Sequence, residues 1–374
     1  MKHIKHNLEE LVRISRFYGQ NTEYVIAGGG NTSYKNTEKI WVKSSGSPMA
    51  NIRADDFVCL DRKKVQHISV KTYSNNPTLR ERQVKEDLNT AILYPKEKRP
   101  SVETSMHEII QYSFVVHTHP AIVNGLVCAS KSKSIVYRLF GDDVLYVEYT
   151  DPGYVLFKKV DMALKHYRST KGKDPSIVFL ENHGVFVAAN SPKEIEEIYT
   201  GIMTIIAAEI VVNPNTLSKN DVSVLKPLIE QLKGSVEFAS LAVIPNSDEI
   251  SLQFLVDQSS FNQVSRPFTP DNVVYCKSNY LYIVDEKKIL TKFNAFRNKF
   301  GYYPKVVGIK GKGILAVEEN QHAAQNVLDV FSNMMKVSYI TRNFGGPRFM
   351  SQKQIAFIDS WEAENYRRMI LKEN

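Results

Sequence analysis

Two segments of the chain, 129 residues apart (304 − 175), have the sequence pattern of one repeated unit. "PSIVFLENHGVFVAANSPKEIEEIYTGIM", which begins at Pro175, aligns without a gap on "PKVVGIKGKGILAVEENQHAAQNVLDVFS", which begins at Pro304. Each contains two short apolar runs separated by a glycine-containing break, followed by a helical pattern, and so predicts strand–turn–strand–helix. Unrelated units that obey the same physics can also look alike. We favour a duplicated fold.

A polar linker separates the two copies. The chain of 374 residues is too long for one ordinary core, and "NPNTLSKND" (213–221) has linker composition. We therefore predict two domains, 1–213 and 222–374. In the aligned copies Lys312 occupies the position of His183. Because a protonated amine cannot bind a metal, the second copy is predicted to keep the architecture without the chemistry.

The stretch "VVHTHP" (115–120) contains two histidines, His117 and His119, on one predicted strand. Side chains at i and i+2 leave the same face of a strand, close enough for both imidazoles to bind one ion. His183, in "ENHG", lies at a strand break and is the candidate third ligand. Three imidazoles with an open position are typical of catalytic zinc, although Co, Mn and Fe also accept imidazole. The alternatives are solvent-facing histidines on a strand and a structural histidine at a turn.

Glu103 is the candidate acid/base, fourteen residues before His117 (117 − 103). A carboxylate at the start of a helix, close to a metal, can move a proton to or from a substrate whose oxygen atoms the metal polarises. The alternative is that Glu103 is a helix-capping residue or a surface charge. His107 and Glu108, about one helical turn later, compete for the same role.

Two loops of small residues are candidate anion-binding sites. "GGGNTSYK" (28–35) and "KSSGS" (43–47) offer backbone N–H groups together with the side chains of Asn31, Ser33 and Ser45. Neither loop has the GxGxxG or P-loop pattern, so nucleotide binding is not implied. Taken singly, each loop is an ordinary turn. "EYVIA" (23–27) and "KIWVKSS" (39–45) are expected to form a pair of short strands around the first loop.

Composition narrows the class of partner. The net charge of +8 comes from scattered Lys and Arg, which suits a small anionic substrate and does not predict nucleic-acid binding. We find no apolar run of transmembrane length and no signal peptide, so no membrane association is expected. The three cysteines are widely spaced, which favours reduced, buried thiols and a cytoplasmic protein.

In their order and combination, "GGGNTS", "KSSG", "SVETSMH", "HTHP" and "ENHG" resemble the class II aldolase/adducin family from about residue 7 to about residue 210. The resemblance implies a three-layer α/β/α domain with a central, mainly antiparallel sheet, usually in a homo-tetramer with the site between subunits. It also implies that His117, His119 and His183 hold zinc and that Glu103 is the acid/base. The phosphate contacts implied by the resemblance are Asn31, Ser45, Gly46 and Ser101.

The activity implied by the resemblance is cleavage of a ketose phosphate into dihydroxyacetone phosphate and an aldehyde through an enediolate, with Zn²⁺ or another divalent transition metal. Sugar-phosphate 4-epimerisation, dehydration on a related fold and a non-catalytic, adducin-like assembly role are the alternatives. Glu rather than Asp at position 103 favours cleavage, and the intact histidines disfavour the assembly role. The chain differs from compact members in its C-terminal extension and in the short stretch between Glu103 and His117.

Overall fold

The structure, a computed structural model, describes residues 2–211, 220–235 and 237–361. Contacts within the chain divide it into two compact units. The first consists of Met1–Val127 and Lys131–Ala208, and the second of Cys128–Ser130 and Glu209–Asn374. Most of the linker predicted at 213–221 lies outside the described residues. The domain bounds 1–213 and 222–374 therefore stay predictions.

The first unit is built on an eight-stranded sheet in the order β4-β3-β2-β1-β5-β8-β7-β6. Only β6 and β7 pair in parallel, and every other neighbouring pair is antiparallel. The predicted central, mainly antiparallel sheet is therefore confirmed. Its strands are β1 (Asn31–Lys35), β2 (Lys39–Lys43), β3 (Phe57–Asp61), β4 (Ile92–Tyr94), β5 (Phe114–Thr118), β6 (Leu145–Val147), β7 (Ile177–Leu180) and β8 (Gly184–Ala189).

Helices cover both faces of this sheet, as expected for three layers. On one face a buried apolar core joins the sheet to α2, α3, α4 and α7. On the other face, Thr32 of β1 bonds Ser15 of α1, and Thr118 of β5 bonds Tyr199 of α8. The helices of this unit are α1 (Lys2–Gly19), α2 (Arg62–Val70), α3 (Pro77–Ala91), α4 (Thr104–Ile109), α5 (Ala121–Val127), α6 (Ser132–Phe140), α7 (Tyr154–Lys171) and α8 (Pro192–Ala207).

One strand near the start of the chain was predicted in the wrong place. "EYVIA" forms turns, and β1 instead begins at Asn31, within the glycine-rich loop motif itself. A strand at this position makes physical sense because Gly30 has a φ of +70° and lies against β5: a Cβ there would approach the His117 carbonyl oxygen to 2.8 Å. The glycines therefore let the chain enter the sheet beside β5.

The second unit has a four-stranded sheet in the order β10-β11-β12-β9. β10 and β11 are parallel, and the other pairs are antiparallel, which is the arrangement of β6-β7-β8-β5 in the first unit. Its strands are β9 (Ala242–Asn246), β10 (Leu281–Ile283), β11 (Val306–Ile309) and β12 (Gly313–Glu318). Its helices are α9 (Lys226–Lys233), α10 (Glu249–Phe254), α11 (Gln258–Asn262), α12 (Pro270–Cys276), α13 (Ile289–Phe300), α14 (Gln321–Thr341) and α15 (Gln352–Ser360).

The correspondence between the two sheets extends to single residues. β11, β12 and α14 begin 129 residues after β7, β8 and α8, which is the shift of the sequence repeat. The second sheet has the strand order and strand directions of β6-β7-β8-β5 in the first sheet, so the topology supports the predicted duplication. The second sheet has four strands and corresponds to β5–β8 of the first. We interpret the second unit as a partial copy of the first.

None of the helices in the described part of the chain is long and apolar enough to span a membrane. All three cysteines are buried and form no disulfide, as the spacing of the thiols predicted.

Candidate functional site

Three histidines from two neighbouring parts of the central sheet meet at one point. His117 lies on β5, His119 directly follows β5, and His183 lies in the turn between β7 and β8. One ring nitrogen of each lies within 4.8 Å of the others. The structure thus brings together all three predicted ligands. No other group of three or more His, Cys, Asp or Glu residues with this geometry occurs among the described residues.

His117 is oriented so that one nitrogen faces the cluster. Its ring is fully buried and stacks on Phe186, with centroids 4.0 Å apart. Its Nδ1 lies 3.0 Å from the Val185 carbonyl oxygen, which can only accept, so Nδ1 carries the proton and Nε2 carries a lone pair. Nε2 in turn lies 3.0 Å from the Nε2 of His119. A divalent ion between these nitrogens would be a common partner for their lone pairs, so the donor set fits a transition metal.

The turn that carries His183 is held by two residues that the sequence reasoning did not single out. Asn182 adopts a left-handed conformation (φ +54°), and its N–H donates to the Val127 carbonyl. Glu181 is buried, and its carboxylate accepts bonds from the Tyr146 hydroxyl and the Tyr149 N–H, each at 2.9 Å. The sequence contained one indication of this role: Glu181 directly follows an apolar strand pattern, and a buried charged residue needs a hydrogen-bonding partner.

Gly184 lets His119 approach β8. A Cβ at Gly184 would lie 2.5 Å from His119 Cδ2 and 2.6 Å from the Thr118 carbonyl oxygen. We expect Gly184→Ala to displace the His119 ring and to weaken metal binding by about 10-fold or more, the scale seen when residues that orient a metal ligand are changed. Isothermal titration with Zn²⁺ measures the change.

Gly201→Ala is the matched control for this substitution. Gly201 lies inside α8, where an added Cβ would meet no atom within 4 Å. Alanine there should leave metal affinity unchanged and stabilise the helix by up to about 1 kcal/mol. Equal metal affinity in the Gly184→Ala variant and in the control would contradict the role given to Gly184.

Glu103 lies beside the histidine cluster. Its Oε1 is 3.5 Å from the Nε2 of His117 and 3.4 Å from the Nε2 of His183. Its Oε2 accepts a hydrogen bond of 2.5 Å from the Asn31 side-chain amide. Asn31 pairs with His117 across β1 and β5, so both side chains leave the same face of the sheet. The predicted acid/base residue and the predicted ligands therefore form one constellation.

The two competitors for the acid/base role are used elsewhere. Glu108 is buried and paired with Arg62, whose guanidinium donates to both carboxylate oxygens at 2.8–3.0 Å, and with Gln66 at 2.9 Å. His107 is fully buried, and burial lowers the pKa of its imidazole well below the usual value. One of its ring nitrogens contacts the Asn31 side chain.

Ser33, one of the residues predicted to bind phosphate, lies on β1. It is fully buried in β1, and its hydroxyl bonds the Nδ1 of His107 at 2.7 Å. This placement gives Ser33 a supporting position behind Asn31. The role of His107 as the group that joins Ser33 to Asn31 was missed from the sequence. The alternation of Asn31, Ser33 and Lys35 could have indicated it, because it places three polar side chains, which need partners, on one face of a buried strand.

Ser45, Gly46 and Ser101 come from two adjacent segments. A β-bridge joins Ser44 to Pro100, and the Ser101 N–H donates to the Lys43 carbonyl. Ser101 then accepts a bond from the Glu103 N–H through its hydroxyl. The "KSSGS" loop is thereby held beside the segment that leads into Glu103. Gly46 has a φ of +89°, which fits its place in a tight loop.

Comparison with known proteins gives a family match over the first unit. Residues 9–205 match the family described as the Class II Aldolase and Adducin N-terminal domain. The protein named "Uncharacterized oxidoreductase YuxG" of Bacillus subtilis (strain 168) is 29% identical over 187 residues, 48% of this chain and 26% of YuxG. The match thus spans about a quarter of that relative. L-fuculose phosphate aldolase of Methanocaldococcus jannaschii is 24% identical over 171 residues, 44% of this chain and 74% of that protein.

Two solved structures of similar proteins each cover about half of the chain. The N-terminal class II aldolase domain of a conserved protein from Thermoplasma acidophilum is 26% identical, with a TM-score of 0.47, and covers 54% of this chain and 92% of that chain. A structure of L-fuculose 1-phosphate aldolase is 16% identical, with a TM-score of 0.36, and covers 54% of this chain and 85% of that chain.

Proposed function

Because the chain belongs to the class II aldolase and adducin N-terminal domain family, we propose that it is a metal-dependent aldolase. Its reaction would be reversible cleavage of a ketose 1-phosphate, or a close analogue, into dihydroxyacetone phosphate and an aldehyde. The observation that carries the proposal is the Glu103 carboxylate, 3.4–3.5 Å from two imidazoles of the three-histidine cluster. A carboxylate beside three converging imidazoles suits metal-assisted proton transfer, and an assembly protein does not need this arrangement.

His117, His119 and His183 would hold the ion, which we propose is Zn²⁺ or another divalent transition metal. When bound, such an ion polarises adjacent carbonyl and hydroxyl oxygens and stabilises the negative charge of an enediolate. The Val185 carbonyl fixes the His117 tautomer, so this ligand is preorganised.

Glu103 would move the proton. In the cleavage direction the carbon–carbon bond breaks, and its electron pair remains on the dihydroxyacetone phosphate half. Glu103 delivers a proton to that carbon, the substrate hydroxyl that becomes the aldehyde oxygen releases its proton to water, and Glu103 takes up a proton from water again, so no net proton is consumed. In the condensation direction the same carboxylate removes the proton from the carbon. The hydrogen bond from Asn31 leaves Oε1 as the oxygen that faces the histidines.

Ser45, Gly46 and Ser101 would bind the substrate phosphate. They lie on the joined segments that lead into Glu103, which suits a phosphate a few bonds away from the reacting carbon. The excess of positive charge on the chain, +8, favours the approach of a dianionic substrate. The Asn31 side-chain amide donates to Glu103, so it would have to give up this hydrogen bond in order to bind the phosphate.

We expect a homo-oligomer, and the family resemblance implies a tetramer. Light scattering after gel filtration tests this expectation.

The deciding experiment combines metal analysis with a substrate screen. Purified protein is assayed for bound divalent metals and then incubated with fuculose, rhamnulose and ribulose phosphates and with the unphosphorylated sugars. We expect about one ion per chain and a chelator-sensitive release of aldehyde from at least one phosphate. An epimeric pentulose phosphate as sole product would favour the 4-epimerase. No turnover by metal-loaded protein would contradict the aldolase proposal.

A further inference from the structure

Three polar side chains form a row beneath α4 that the proposed reaction does not use directly. Asn31, Ser33 and Lys35 alternate along β1, all are buried, and all three contact either His107 or Glu103. Burying so many polar groups is costly unless each has a partner. A row of this kind in a core strand therefore calls for an explanation.

Each hydrogen bond in the row has only one chemically allowed direction. A carboxylate can only accept, so the nitrogen of the Asn31 amide faces Glu103 and the amide oxygen faces His107. The His107 Nε2 must then donate to that oxygen. Since the buried, neutral imidazole carries one proton, its Nδ1 is an acceptor, and the Ser33 hydroxyl donates to it at 2.7 Å. The chain of donors runs from Ser33 to His107 to Asn31 to Glu103.

The main chain of His107 is fixed as well. The Lys35 Nζ donates to the His107 carbonyl oxygen at 2.6 Å and is buried with it. The imidazole packs edge-on against Phe186, with centroids 5.3 Å apart. Phe186 also stacks on His117, so one aromatic ring supports both histidines. The ring of His107 therefore has little freedom to rotate, and its proton stays directed at Asn31.

We propose that His107 is a positioning residue for Glu103: as the neutral Nε2–H tautomer it fixes the orientation of the Asn31 amide, which holds the Glu103 carboxylate with Oε1 facing the histidine cluster. This inference rests on the proposed acid/base role of Glu103. It reassigns Asn31 from phosphate binding to control of the base. Reversal of the Asn31 amide would set its oxygen against the carboxylate, and the neutral Nε2–H tautomer is what prevents the reversal.

Two replacements of His107 separate hydrogen bonding from packing. The amide of His107→Gln can still donate to the Asn31 oxygen, whereas His107→Leu fills the space without a donor. We expect His107→Leu to lower kcat by about 10- to 100-fold, the scale of lost support behind a site residue, with KM changed less than about 3-fold and metal content unchanged. His107→Gln should stay within about 5-fold of the wild type. The exposed His166→Gln is the matched control and should be unaffected.

Equal losses in the Gln and Leu variants would overturn the proposal, as would a loss of kcat that merely follows loss of metal or of folded protein. If His107→Leu does not fold, the comparison of His107→Gln with Ser33→Ala takes its place: removal of the Ser33 donor should cost more kcat than the Gln replacement. The reverse order would overturn the proposal.

A measurement without substrate distinguishes failure of this inference from failure of the proposed function. Nitrogen-15 NMR of the histidine rings reports the tautomer directly. His107 should remain the neutral Nε2–H form between about pH 5.5 and 8. In Asn31→Ala the His107 signal should show mixed tautomers. An Nδ1–H or a protonated His107 in the wild-type protein would overturn the inference whether or not a substrate is found.

Discussion

His119→Ala should release the metal from the purified protein on dialysis. The physical reason is the loss of one of three imidazoles whose ligand nitrogens lie within 4.8 Å of one another, which leaves two protein ligands where a stable catalytic site uses three. Residues that only orient a ligand contribute about 10- to 100-fold in affinity, so removal of a ligand itself should cost at least about 100-fold. Metal analysis by mass spectrometry before and after dialysis gives the stoichiometry.

Two features make this substitution a clean test. The side chain of His119 is half-buried, so the cavity left by alanine is small and the fold should survive. His67→Ala, on the exposed side of α2, controls for the loss of a histidine as such and should keep its ion. Stoichiometric metal in dialysed His119→Ala protein would contradict the assignment of the three ligands.

The second unit has no histidines at the positions that correspond to the three ligands. His117 pairs with Phe186 across β5 and β8, and Pro245 pairs with Leu315 at the corresponding position of β9 and β12. By this register Pro245, Ser247 and Lys312 occupy the positions of the three histidines. Lys312 is bonded to Glu286 at 2.8 Å. No set of metal ligands remains there, so metal bound to the wild-type protein should belong to the first unit.

Much of the central sheet was predictable because its signals are local. "SFVVHTH" contains the short apolar run of a buried strand, and "SPKEIEEIYTGIM" has a helical pattern; the structure has β5 and α8 there, and Ser191 caps α8. "EYVIA" misled because apolar composition alone does not make a strand; it lies before Gly30, where the chain turns into β1. The position of that turn depends on packing against His117, which is not a local property.

The sequence predicted the three histidines of the site, but it did not predict the hydrogen bonds that hold the residues around them. His117 and His119 share a strand face, a relation fixed by covalent geometry. The contact of Glu103 with Asn31 joins residues 72 positions apart, and the family resemblance did not indicate that bond. Ser33 matched a loop motif, yet the alternation of β1 directs it at His107. The face on which Ser33 lies could be predicted only once residues 31–35 were known to form a strand, and the sequence pattern had not indicated that strand.

Glu103→Gln should retain the fold and the metal but lower turnover by at least about 100-fold, the usual scale for the loss of an acid/base group. Glutamine has the same shape, and its side-chain oxygen can still accept the bond from Asn31, so the neighbourhood remains packed. The three histidine nitrogens are untouched, so one ion per chain should remain. What the variant loses is a group that can take up and return a proton at the site where Oε1 faces His117 and His183.

Steady-state kinetics with the substrate found in the screen, together with metal analysis and thermal unfolding, measures this effect. The matched control is Glu86→Gln, which removes an exposed carboxylate of α3 and should leave kcat, metal content and Tm unchanged. A fall in kcat with constant metal content identifies Glu103 as the group that moves the proton. Near-normal turnover by Glu103→Gln would contradict that role. Since Glu108 is held by Arg62 and His107 by Asn31 and Ser33, the proton would then have to be moved by a group outside this constellation.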